Sequence, residues 1–167
     1  MAAISYQRSA FSSDLALLTR GLEHYAERGI FRSFSHKPAA GGRTEFHFHW
    51  LWNLPFQLTI DAKHRALQFK KLLPNVPAGS DLETEVKAFL QDCSSPDRPE
   101  HRRADPKRLA VRSANRHGSI HLTFVVPAND YAYAVKKAIH LVNELFVAFL
   151  SVRYPEYMAQ NFHLSNE

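Results

Sequence analysis

The sequence predicts an α+β fold in which helices pack on one face of an antiparallel sheet of five to six strands. Apolar residues recur at helical spacing in three stretches of the chain and at every second position in the stretches between them. Proline, glycine and asparagine mark the ends of these stretches. The predicted order of elements is α-β-β-β-β-α-β-β-α. No linker or internal repeat divides the 167 residues, so we expect a single domain over residues 1–167.

The first predicted helix begins beside two serines and ends at a glycine. Ser12 or Ser13 can cap its start, and Asp14 then lies in the first turn, where the helix dipole favours a negative charge. Gly29 can adopt the left-handed conformation in which many helices end. The apolar face of this helix consists of Leu15, Leu18, Leu22 and Tyr25.

Four short strands are predicted to follow, because the period of the apolar residues changes to two. Their segments are IFRSFSH, RTEFHFHWL, FQLTID and ALQFKK, and the turns contain PAAGG, Asn53 with Pro55, and AKHR. In the second segment one face carries Thr44, Phe46, Phe48 and Trp50, and the other carries Glu45, His47 and His49. This alternation predicts a sheet with one buried face and one solvent-exposed face.

The second predicted helix opens with Ser80 and Glu83. This pair fits a capping box, in which each side chain bonds the free backbone donor of the other residue. The apolar stripe of the helix consists of Leu82, Val86, Phe89, Leu90 and Cys93. Cys93 is the only cysteine, so it forms no intramolecular disulfide. We interpret it as a small core residue, because no His–Asn partner pattern supports a nucleophile.

A hairpin and a long helix complete the predicted fold. The strands LAVRSAN and SIHLTFVV are joined by RHG, in which Gly118 can supply a positive φ. Asn129 or Asp130 caps the third helix, whose apolar positions advance by three or four residues. Pro155 is expected to end or kink this helix, because proline lacks the backbone donor.

The predicted core joins the helices to one face of the sheet. Its inner sheet positions are Phe46, Phe48, Phe56, Leu58, Leu122 and Phe124. We expect two phenylalanines of the third helix, Phe146 and Phe149, to be buried there. Their expected partners are Phe48 and Phe124. The opposite face is then expected to be the functional or subunit-contact surface, and it carries Glu45, His47, His49, Gln57 and Thr59.

The stretch TEFHFHWLW, from Thr44 to Trp52, is a candidate metal site. Glu45, His47 and His49 alternate along one strand and so share a face. A site needs three or four ligands, and His121 on another strand could add one. The His-x-His spacing is similar to that of cupin metal strands, but the glutamate expected a few residues later is missing. We weigh a metal-dependent enzyme against a solvent-facing polar strand, and favour the polar strand.

The segment RPEHRRADPKR is the strongest basic cluster in a chain of net charge +5. The candidate ligand- or partner-binding residues are Arg98, Arg102, Arg103, Arg112 and Arg116. Arginine side chains suit phosphates and carboxylates, so nucleic-acid or polyanion binding through the Arg98–Arg116 region is an alternative function. Acidic residues interleave with these arginines and no aromatic residue stands between them. We therefore favour a solvated loop held by its own ion pairs.

Sequence motifs for catalysis and for membrane insertion are missing. There is no glycine-rich phosphate loop, no nucleophile elbow and no zinc-type cysteine pair. We expect no cofactor, and favour a non-enzymatic function while leaving an enzyme open. No apolar run reaches about 18 residues, and MAAISYQRSAFSSD lacks the apolar run of a secretory signal. We therefore expect no transmembrane helix and a cytoplasmic location.

The order of elements resembles the YbjN-like and type III secretion chaperone-like fold. The matching pieces are DLALLTRGLEHYAERG, DLETEVKAFLQDC, ANRHGSIHLTFVV and YAYAVKKAIHLVNELFVAFL. This chain has one extra predicted strand and a positive net charge. The resemblance implies an α+β fold, homodimerisation and binding of other proteins. The leading hypothesis is therefore a non-enzymatic, chaperone- or adaptor-like interaction module that forms a homodimer.

Overall fold

A computed structural model describes residues 2–128 and 130–162, with side chains described within residues 15–128 and 130–160. In this part of the chain six strands form one antiparallel sheet in the order β1-β2-β3-β4-β6-β5. The strands are β1 (Arg32–Ala39), β2 (Arg43–Trp50), β3 (Leu54–Asp61), β4 (Ala66–Leu73), β5 (Ala110–Arg116) and β6 (Ser119–Val125). The predicted α+β fold, with its sheet of five to six strands, is confirmed.

The helices of the described chain cover the three stretches in which the sequence predicts helices. They are α1 (Ala2–Glu27), α2 (Asp81–Asp92), α3 (Tyr131–Glu144) and α4 (Ser151–Phe162). A π-helical segment, Leu145–Leu150, joins α3 to α4, so the third predicted helix is one long helical path. Of the two predicted effects of Pro155, an end or a kink, the end is contradicted, because Pro155 lies inside α4. The wider π-helical turns lie just before the position where proline cannot donate to the helical ladder.

The start of α1 differs from the prediction, whereas its end agrees. Helical backbone extends back to Ala2, so Ser12 and Ser13 lie inside the helix and do not cap it. The residues before them include alanine, glutamine and arginine but no glycine or proline, so nothing in this segment stops the helix. At the other end Gly29 has φ +76°, and the N–H of Ile30 donates to the carbonyl of Tyr25 at 2.9 Å.

The caps of α2 and α3 are largely as predicted. Ser80 accepts a hydrogen bond from the N–H of Glu83 at 3.4 Å. The reciprocal half of the capping box is absent, because the Glu83 carboxylate accepts from Lys87 Nζ at 3.0 Å and the Ser80 N–H donates to a carbonyl. Asp130 caps α3 by accepting from the N–H of Tyr133 at 3.3 Å. The alternative cap, Asn129, lies outside the described residues.

The alternation of β2 is confirmed by its register with β3. Phe46 faces Leu58 and Phe48 faces Phe56, and all four side chains are buried. Their neighbours along β2 are only half-buried. The buried face joins one hydrophobic core with residues of every helix, including Leu22, Leu82, Val86, Val142 and Tyr157. The helices therefore pack on one face of the sheet, as predicted.

The phenylalanines of the long helical path have other partners than predicted. Phe146 is fully buried, and its ring lies 5.0 Å from that of Trp52 and 5.6 Å from that of Phe56. Phe149 is only partly buried and stacks on Phe89 of α2 at 5.6 Å. Phe48, one of the two expected partners of these phenylalanines, stacks instead on Phe31 at 4.1 Å. Phe31 directly precedes β1, and the sequence pattern assigns it to the first strand. Its ring occupies the position beside Phe48 that we expected a phenylalanine of the last helix to fill.

Candidate functional site

The face of the sheet that points away from the helices is called here the polar face. One row of paired residues crosses all six strands of this face, and it consists of Lys37, Glu45, Thr59, Gln68, Thr123 and Arg112. Thr59 departs from the predicted solvent-exposed face, because only 3% of its surface is exposed between its longer neighbours. The rest of the row is half-buried or exposed. This surface carries both the predicted metal ligands and part of the predicted arginine cluster.

The predicted metal ligands come together only in part. His47 Nε2 lies 3.3 Å from Glu45 Oε2, and Lys37 Nζ lies 3.8 Å from the same oxygen. His49 pairs with Pro55 at the next position on this face. His121 is three strands from β2, about 14 Å at the usual strand spacing. Among the described residues no group of three or more His, Cys, Asp or Glu side chains is placed to hold a metal ion.

His121 lies in a strongly positive part of the polar face. It is 8% exposed, and its Nδ1 accepts the backbone N–H of Lys71 at 3.3 Å. Burial lowers the pKa of His121, and the charges of Arg116, Lys71 and Lys70 lower it further. The lowered pKa of His121 therefore indicates that the charged groups near this side chain are cations.

Two of the predicted arginines are engaged in structural ion pairs. Arg98 donates to both carboxylate oxygens of Glu144, at 2.9 and 3.2 Å, and to Asp92 at 3.1 Å. Arg102 Nη2 lies 2.6 Å from the same Glu144 carboxylate. The Arg98 side chain is 13% exposed. These contacts fasten the loop before β5 to α2 and α3, so the partners are carboxylates of the helices and not the acidic residues within the loop that the prediction invoked.

Arg103 lies apart from that ion-pair network. Its guanidinium donates to the carbonyl of Pro96 at 3.4 Å and borders a cavity of about 440 Å³. Arg108, on the same cavity, pairs with Asp130 and lies 3.6 Å from the centre of the Tyr133 ring. The positive charge of Arg108 is thus already matched by a carboxylate and an aromatic face.

Arg112 and Arg116 lie on β5 and project from the polar face, exposed to solvent. Lys70 and Lys71 of β4 flank the same face across β6. The charged groups of these four residues make no ion pair or hydrogen bond with any described residue. The two lysines were missed by sequence reasoning, although the period of ALQFKK already placed Lys70 on the polar side. The structure therefore splits the five predicted arginines and gives two of them new neighbours.

A second surface lies in the helical layer, between α1 and α3, and is called here the helix groove. Three large apolar side chains on its walls are exposed: Leu17 by 64%, Ile30 by 36% and Val147 by 58%. The groove comprises two adjoining cavities of about 300 and 410 Å³ that share Tyr25. Charged residues of both signs lie along its walls, and they are Asp130, Lys136, Arg102 and Glu144.

Comparisons with known proteins give no relative for this chain. No protein-family model, no curated protein and no solved structure matches it. The YbjN-like and secretion chaperone-like resemblance therefore stays a prediction, as does the metal-dependent enzyme. None of the described helices combines the length and the apolar character needed to cross a membrane.

Proposed function

We propose that the protein is a non-enzymatic interaction module, adaptor- or chaperone-like, that forms a homodimer through the helix groove. The observation that carries the proposal is the exposure of Leu17, Ile30 and Val147 along one groove. Exposed apolar side chains that line a groove bordered by charges are typical of protein-contact surfaces. Their burial against a partner removes apolar area from water, which is the main driving force of association.

The groove suits a second copy of the chain as its occupant. A two-fold interface pairs one patch with itself, so the patch needs both projections and recesses. Leu17 and Val147 project, while a β-carbon placed on Gly21 would meet no atom within 4 Å, so there is open space beside it. Each half of the groove also carries an acid and a base, so a two-fold arrangement brings no block of like charges together.

The solution mass tests the homodimer. We expect sedimentation equilibrium to give twice the 19.1 kDa mass of the chain, with dissociation on dilution. The double variant Leu17→Glu, Val147→Glu should be a monomer, because it places charges in the apolar contact. Val152→Glu is the matched control, since Val152 is 63% exposed but lies outside the groove, and it should remain a dimer. A wild-type monomer at high concentration would refute the homodimer.

The thermal unfolding of these variants separates folding from association. All three substituted side chains are more than half exposed in the single chain, so the monomeric fold should tolerate each glutamate. Monomeric variants with native circular dichroism spectra are expected. If Val152→Glu dissociates the dimer as well, the contact lies on another part of the helical layer and the groove is the wrong interface.

A further inference from the structure

A surface with charges of one sign lies on the half of the polar face formed by β4, β6 and β5. Lys70, Lys71, Arg112 and Arg116 surround His121 there, and this set is called here the basic face. The carboxylates of the polar face, Glu45 and Asp61, belong to β2 and β3. The basic face thus has four cationic side chains, and no carboxylate is paired with any of them.

Five other arginines of the described chain have carboxylate partners. The pairs are Arg43–Asp61, Arg98–Glu144, Arg102–Glu144, Arg108–Asp130 and Arg153–Glu85. Arg112 and Arg116 are among the arginines without such a partner, and they lie on one sheet face beside two equally unpaired lysines. Like charges gathered on one rigid surface repel one another, and a bound anion removes that repulsion.

We propose that the basic face binds the phosphate backbone of a double-stranded nucleic acid. Arg112 and Arg116 are four residues apart on one strand, about 14 Å, and Lys70 lies two strands away, about 10 Å. One small anion cannot reach all of these cations. A duplex carries one charge per about 1.7 Å of axis, so roughly eight phosphates lie along the 14 Å span.

The neighbours of these cations favour the backbone over the bases as the contact. The aromatic rings of the sheet, such as Phe69 and Phe124, lie on the core face. Between the cations the polar face presents Thr123, Ala114 and His121. Unpaired bases need aromatic platforms to stack on, and these are missing. Contacts to phosphates alone carry no sequence information, so binding is expected to be independent of sequence.

The same residues disfavour an acidic protein segment as the ligand. Protein partners gain most of their affinity from large apolar or aromatic anchors in pockets. The basic face offers small polar side chains between its cations, and the cavity of about 530 Å³ that Arg112 borders lies at the outer edge of β5, beside α2. The site lies on the opposite side of the sheet from the helix groove, so it is independent of the proposed dimer contact.

Salt-dependent binding tests the proposal. The probes are fluorescein-labelled duplex DNA and duplex RNA of one mixed sequence, followed by fluorescence anisotropy. If four cations each neutralise one phosphate, the slope of log affinity against log salt is about −3.6. Affinity then falls about 150-fold between about 50 and about 200 mM salt. No binding of either duplex at the lowest salt would overturn the proposal.

Paired substitutions locate the contact. Lys70→Gln with Lys71→Gln should halve the steepness of the salt dependence, to a slope of about −1.8, and Arg112→Gln with Arg116→Gln should do the same. Arg20→Gln with Arg28→Gln is the matched control, because it removes two exposed charges on the helical side. The control should keep the full slope, and native circular dichroism spectra should be retained throughout. A control as weak as the basic-face variants would mean that net charge alone binds the duplex, which overturns the site.

Two further comparisons identify the ligand class. Polyglutamate should compete with the duplexes only weakly, and tighter binding of polyglutamate than of either duplex would replace the nucleic acid by an acidic protein segment. The Leu17→Glu, Val147→Glu variant should still bind the duplexes. Failure of the dimer therefore leaves this proposal standing, and failure of duplex binding leaves the dimer standing.

Discussion

Arg98 and Glu144 form a bidentate ion pair between the loop before β5 and the end of α3, with N–O distances of 2.9 and 3.2 Å. Their side chains are 13% and 18% exposed. Burial on its own would lower the pKa of Arg98, but hydrogen bonds to Glu144 and Asp92 outweigh it and raise that pKa. The guanidinium is therefore committed to the fold and is not available to a ligand.

Substitution of Arg98 should destabilise the protein. Arg98→Met leaves the largely buried Glu144 carboxylate without its bidentate hydrogen-bond donor. We expect a loss of about 2–3 kcal/mol in the free energy of unfolding. Arg103→Met is the control, because Arg103 makes one hydrogen bond of 3.4 Å, and it should cost less than about 1 kcal/mol. Urea unfolding measures both. Equal losses would mean that the Arg98–Glu144 pair is solvated and contributes little to the free energy of unfolding.

Phe146 should matter far more to stability than the two histidines of β2. Phe146 is fully buried between Trp52 and Phe56, so Phe146→Ala removes a ring and leaves a cavity, at a cost of about 3–5 kcal/mol. The double variant of His47 and His49 to alanine should leave the melting temperature nearly unchanged, because both side chains are only half-buried on the polar face. A comparable loss in the histidine variant would contradict the two-faced sheet.

The features that follow local rules could be predicted from the sequence. The faces of β2 follow from a period of two, which the pleat imposes on any strand. Gly29 and Gly118, at φ +76° and +78°, lie where the sequence predicts a helix end and a tight turn. The Ser80 and Asp130 caps depend only on the next three residues. In each case the cause lies within one turn or one hairpin.

Features that depend on distant residues could not be predicted. The partners of Phe146 depend on how Trp52 turns after β2, where its φ is +56°, a conformation that the sequence does not signal. The arginine cluster divides because β5 leaves the loop and enters the sheet after Arg108. The link between Lys70 and Arg116 requires the order β4-β6-β5, which is set by non-local pairing. Neighbours in sequence were therefore a poor guide to neighbours on the surface.

Cys93 should be inert to thiol reagents in the native protein. Its side chain is 1% exposed and donates to the carbonyl of Phe89 at 3.3 Å, and burial raises the pKa of the thiol to about 11. At pH 8 only about one thiol in a thousand is then ionised, and thiolate is the reactive form. Because Cys93 is the only cysteine, the signal of a chromogenic disulfide reagent belongs to it alone. Fast labelling without denaturant would contradict the buried position.

His121 should make the free energy of unfolding depend on pH in the weakly acidic range. In the unfolded chain its imidazole titrates near the usual value of about 6.5. In the folded chain burial and the charges of Arg116, Lys71 and Lys70 hold the pKa of His121 lower. Between the two values the unfolded chain binds more protons, so stability is full above about pH 6.5 and is lost as the pH falls through this window.

Proton NMR of the imidazole and urea unfolding at two pH values check this expectation. The NMR midpoint of His121 should lie below about 6.5, and His121→Gln should lose less stability than the wild type between about pH 7.5 and pH 5.5. Part of the dependence should remain in the variant, because burial followed by the charges of Lys136 and Lys137 also lowers the pKa of His140. The carboxylates of Asp61, Glu83 and Asp130 have lowered pKa values and lose their contribution only at more acidic pH. A midpoint for His121 at or above the unfolded value would show that the cations around it do not act on it, and the basic face would lose its electrostatic support.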